Sequence, residues 1–84
     1  MESEKSEVDA RKAIEITKQF FIAANGRLAE TTFKVNSIER NHEKDSWIVD
    51  CQLFTNPIAP KPTHYITRVN VSTRELQAKE QPGA

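Results

Sequence analysis

The sequence predicts an α+β domain with one N-terminal amphipathic helix packed on a curled four-stranded antiparallel sheet, in the order α-β-β-β-β. Three observations predict it. Apolar residues recur at steps of three and four as far as Leu28, the apolar period then falls to two, and clusters of turn formers divide the later stretch into four runs. The 84 residues suffice for one core, because a chain this short buries only roughly 60% of its unfolded surface. One domain is expected over 7–80, between a loose polar segment at 1–6 and a loose tail at 81–84.

Ala10, Ala13, Ile14, Thr17, Phe20, Phe21, Ala24 and Leu28 make the apolar stripe of the helix, and Arg11, Lys12, Glu15, Lys18 and Gln19 its solvated face. Ser6 followed by Asp9 has the spacing of a capping box at its start. Asn25-Gly26 supplies the left-handed residue that ends many helices.

Strands are expected at about Thr31–Arg40, Ser46–Thr55, His64–Val71 and Glu75–Lys79, rich in Thr, Val, Ile and aromatics. A register slip of one residue would turn every side chain to the wrong face, so apolar matching constrains the pairing. It sets Val35 opposite Cys51, Cys51 opposite Val69, Thr55 opposite Tyr65, and Val71 opposite Leu76. One face then reads Phe33, Val35, Trp47, Val49, Cys51, Leu53, Tyr65, Val69, Val71, Leu76 and Ala78, to be covered by Ile14, Phe20 and Phe21. Ile38 falls out of phase with Val35, and a β-bulge near Asn36-Ser37 would return it to the core face beside Trp47.

Twelve Lys and Arg balance twelve Asp and Glu, so no net field draws the chain to nucleic acid or an anionic membrane. The outer sheet face, with Ile48, Asp50, Gln52, Phe54, Ile66, Arg68 and Asn70, carries one aromatic and one cation, too few for a base-stacking platform. No apolar run approaches the ~18 residues of a membrane span. With a lone cysteine and a charged start, the chain is expected to be cytoplasmic unless a signal peptide has been removed.

Cys51 and His64 are the obvious pair for nucleophilic catalysis, which requires thiol and imidazole in contact. The pairing places them on opposite faces and several residues apart, so Cys51 reads as a small buried hydrophobe. His42, Glu43 and Asp45 share a turn but have no further ligand nearby to close a metal site. With glycines only at 26 and 83, no phosphate-cradling loop exists. Neither a catalytic residue nor a cofactor, metal or small-molecule ligand is expected.

What remains is apolar surface. The expected register makes Phe54 and Ile66 a cross-strand pair on the outer face, beside a loop stiffened by Pro57, Pro60 and Pro62 that carries Ile58. Two readings follow: a contact surface built from Phe54, Pro57, Ile58, Pro60 and Ile66, or a satellite cluster in which the loop folds back over Phe54 and Ile66.

The order helix, long strand, Trp-initiated strand, loop, then Tyr65-Ile66-Thr67-Arg68-Val69-Asn70-Val71-Ser72-Thr73-Arg74-Glu75-Leu76 resembles the PepSY and cystatin-like small domains. The final hairpin of PepSY-type units ends on Asp, a short turn and Gly-Glu-Leu; here Asn70 and Arg74 replace the Asp and Gly. The turn Asn41-His42-Glu43-Lys44-Asp45 lacks the wedge motif of cystatin protease inhibitors. A second resemblance, through Trp47, the proline loop and the Tyr-initiated hairpin, is to the gas-vesicle accessory O protein, without its acidic and arginine-rich ends. The resemblance implies a cystatin-like fold and a regulatory or inhibitory binding role. The expected function is therefore a non-enzymatic module that binds a protein partner or a second copy of itself. The alternative is a small-ligand domain or minor enzyme using space between helix and sheet near Trp47 and Tyr65.

Overall fold

A computed structural model describes residues 8–82. The segment 1–6, with Ser6 of the expected capping box, and the last two residues of the tail lie outside these. Asp9 alone caps the first helix, α1 (Ala10–Asn25): its side chain accepts the Lys12 N–H at 2.8 Å. Along α1 the residues driven fully inside are Ala13, Thr17 and Phe21, one per turn. Ile16 and Ile22 flank them, half-buried. Phe20, expected to cover the sheet, is instead 44% exposed, because it stands about 100° around the helix from Phe21. Its ring meets the Phe21 ring edge-on at 5.1 Å.

The expected single helix is two. Gly26 has φ 72° and ψ −148°, a combination open in practice to glycine alone, and there the chain breaks direction into α2 (Arg27–Thr32). A Cβ on Gly26 would meet nothing within 4 Å, so the backbone conformation itself demands glycine. α2 takes in Leu28, read as part of the first helix, and Thr31-Thr32, read as the start of a strand. Thr32 Oγ1 donates to the Leu28 carbonyl at 2.7 Å and accepts the Phe54 N–H at 2.9 Å. The hydroxyl thereby closes the helix and ties it to the sheet.

The strands β1 (Lys34–Asn41), β2 (Ser46–Leu53), β3 (Thr63–Asn70) and β4 (Leu76–Glu80) form one open antiparallel sheet in the order β1-β2-β3-β4. The first pairing agrees with the expectation: Val35 faces Cys51, and the register shifts between Val35 and Ser37, leaving Asn36 as the extra residue of a bulge. Ile38 returns to the core side opposite Val49, and it is Arg40 that stands opposite Trp47.

The other two pairings differ from the apolar matching. Cys51 faces Tyr65, not Val69, a slip of four. Val69 and not Val71 faces Leu76, a slip of two. Even slips leave each side chain on its own face, so alternation cannot distinguish them. The connection decides. With Leu53 opposite Thr63, the loop closes through an Asx turn in which Asn56 Oδ1 accepts the Ile58 N–H at 3.0 Å.

Val49, Cys51, Leu53, Thr67 and Val69 are fully buried beneath the helices, and Val71 nearly so. Between the layers, the Thr17 and Thr67 hydroxyls hydrogen-bond at 3.2 Å, satisfying two groups shut away from water. Ala78, assigned to the core by its parity, is exposed, because the helices pack over β2 and β3 while β4 extends past them. At the other end of the core Val8 donates to the Val71 carbonyl at 3.1 Å and accepts from Trp47 Nε1 at 2.8 Å. The Arg40 guanidinium lies 5.8 Å from the centre of the Trp47 ring. Gln81, expected in the loose tail, continues the sheet by donating to the His64 carbonyl at 2.8 Å.

Candidate interaction surface

With the helices on one side, nothing among the described residues covers the other face of the sheet. Antiparallel pairing arranges its side chains in rows across the strands: Glu39, Ile48, Arg68 and Gln77 in one, Ser37, Asp50, Ile66 and Lys79 in the next. Ile48 and Ile66 are therefore diagonal neighbours at the middle of the face. They floor an open groove of about 560 Å³ that Arg68, Gln77, Lys79 and Gln81 complete.

The expected pairing of Phe54 with Ile66 does not form. Asp50 stands opposite Ile66, and Phe54 lies four residues beyond it, roughly 13 Å along the strand at the rise of an extended chain. Phe54 is half-buried at the strand's end. Pro57 and Pro60 are exposed, and Ile58 at the loop tip is 86% exposed, so it does not fold back as a satellite cluster would require. The five expected contact residues thus divide into a loop tip with Pro57, Ile58 and Pro60, a mid-sheet position with Ile66, and Phe54 between them. Ile48, the natural companion of Ile66, is revealed only by the register.

The same register creates a polar group that sequence reasoning missed. His64 Nε2 hydrogen-bonds Asp50 Oδ1, and Asn36, raised by the bulge, reaches Asp50 Oδ1 at 3.4 Å and Gln52 Oε1 at 3.3 Å. The bond from His64 first, then that from Asn36, holds the Asp50 carboxyl below its ordinary range against the opposing effect of desolvation. A slip of four conceals this pair, since it sets Asp50 opposite Asn70.

Cys51 and His64 do fall on opposite faces, although His64 stands opposite the adjacent Gln52. Cys51 is fully buried, and burial, aided by the Asp50 charge, pushes its thiol up to about 12. An aromatic disulfide reagent at pH 8 is expected to leave the native protein unlabelled and to react at the rate at which the chain unfolds. Stoichiometric labelling within a minute under native conditions would contradict this placement. In the His42 turn, Asp45 is already engaged by Arg40 Nη2 at 3.0 Å. Among the described residues no group of three His, Cys, Asp or Glu side chains is placed to hold a metal, and no helix is long and apolar enough to cross a membrane.

No family model, curated protein or solved structure matches this chain.

Proposed function

We propose that the chain is a non-catalytic binding module that takes an extended segment of another protein onto the open face of its sheet. The observation that carries this reading is the groove floored by Ile48 and Ile66 on a face that no helix among the described residues covers. Apolar side chains left together on an uncovered face favour an apolar contact. Arg68 and Lys79 at its rim favour carboxylates beside that contact. The preferred ligand is an extended peptide with one large apolar residue flanked by acidic ones, and the exposed Ile58 at the end of the loop offers a second point of contact. The helix-on-sheet order supports a cystatin-like assignment and a regulatory or inhibitory role. The lone, buried Cys51 favours a reducing compartment.

Selection from a random displayed-peptide library tests the reading. The wild-type chain is expected to enrich apolar sequences flanked by Asp or Glu, and the Ile48→Lys/Ile66→Lys variant, folded by circular dichroism, to lose that enrichment at least tenfold. Equal enrichment of the same peptides by both proteins would remove the open face from consideration.

A further inference from the structure

A sheet of four strands has two free edges, β1 and β4, and they are not equivalent. The bulge at Asn36 interrupts β1, and its side chain folds onto Asp50 and Gln52. Such an edge is a poor template for another strand. β4 has neither bulge nor proline within it, and residues 77–80 are all exposed.

The hydrogen bonds at the two ends of the β3–β4 ladder fix which groups of β4 are free. Asn70 N–H donates to the Glu75 carbonyl and Gln81 N–H to the His64 carbonyl, in the register that sets Arg68 opposite Gln77 and Ile66 opposite Lys79. Residues 75, 77, 79 and 81 therefore turn their backbone groups toward β3. By the alternation of an antiparallel ladder, Leu76, Ala78 and Glu80 turn theirs outward, with no backbone partner among the described residues.

We propose that β4 pairs antiparallel with β4 of a second copy, about a two-fold axis through Gln77, to give a continuous eight-stranded sheet. The sequence Glu75-Leu76-Gln77-Ala78-Lys79 is complementary to itself about that residue. On the open face Glu75 meets Lys79 of the second copy, twice by symmetry, and the two Gln77 side chains meet at the axis. On the helix side each Leu76 meets an Ala78. The outward N–H and C=O groups of Leu76 and Ala78 then satisfy one another in two reciprocal pairs. The registers on the C-terminal side are worse. An axis through Ala78 sets Leu76 against Glu80 and brings the two Lys79 together on a diagonal, and an axis through Lys79 sets the lysines directly opposite each other. This inference goes beyond ligand binding by the open face and does not depend on it.

Sedimentation equilibrium from 10 µM to 1 mM provides the test. The weight-average mass is expected to rise from 9.6 kDa toward twice that value, with amide exchange of Leu76 and Ala78 slowing as the dimer fills. Ala78→Pro removes only an outward N–H, so it is expected to stay folded and monomeric. Lys79→Glu and Glu75→Lys are each expected to weaken association at least fivefold, and the double exchange to restore it. These surface exchanges keep the test decisive even if the proline variant unfolds. A mass constant at 9.6 kDa up to 1 mM, a folded Ala78→Pro protein that dimerises like wild type, or a double exchange no better than the singles would each overturn the proposal.

Discussion

Replacing Phe21 with alanine is expected to destabilise the domain by about 3–5 kcal/mol, the usual cost of deleting a buried aromatic ring. At about 0.05–0.15 kcal/mol per residue, a domain of 84 residues holds about 4–13 kcal/mol, so the variant loses a large share of its stability. The effect is large because the ring joins both layers. It is 2% exposed and lies 4.7 Å from the Tyr65 ring on β3 and 6.3 Å from Phe33 at the end of α2. Phe20→Ala provides the comparison. With that ring 44% exposed, its loss is expected to cost about 1 kcal/mol or less. Urea denaturation followed by Trp47 fluorescence measures both, and near-equal costs would refute the assignment of Phe21 to the core.

Thr67→Val is expected to cost about 1–3 kcal/mol, although valine has nearly the same shape. The Thr17 hydroxyl would lose its bond to Thr67 in a site with no access to water. Thr17→Val should cost less, because the Thr67 hydroxyl keeps the Val49 carbonyl as acceptor at 3.4 Å. The double variant should return to within about 1 kcal/mol of wild type, because two apolar surfaces then face each other with no stranded donor. The coupling in this cycle, about 1–3 kcal/mol, identifies the hydroxyl pair as its cause. Additive losses would show that the two threonines act independently.

Much of the fold was legible in the sequence because both of its periods are strong. Val49, Cys51, Leu53 and Val69 are buried as alternation requires, and the bulge was visible because Val35 and Ile38 cannot otherwise share a face. Registers that differ by an even number of residues were not distinguishable. For that reason Ile48 was not joined to Ile66, Phe54 was wrongly joined to it, and the Asp50–His64 bond went unseen. α2 was hidden by its own residues. Gly26 reads as a stop and Thr31-Thr32 reads as strand, while the burial of Ala29 and the bond from Thr32 to Phe54, distant in sequence, favour helix there. Ala78 has the parity of a core residue, but burial also depends on how far the helices reach across the sheet, which periodicity does not record.

The bulge in β1 carries a consequence for how this chain can change length. Asn36 is the one residue of that strand with no counterpart on β2, so the pleat on either side of it is read in two different frames. Losing this single codon would merge the frames and leave Val35 and Ile38 still facing inward. Losing any codon from Ile38 onward within the strand would turn the residues beyond it inside out. A length polymorphism of one residue in β1 is thus tolerable at the bulge, as loss of Asn36 or of Ser37, and either removes the bulged position from which an asparagine supports Asp50 and Gln52 on the open face.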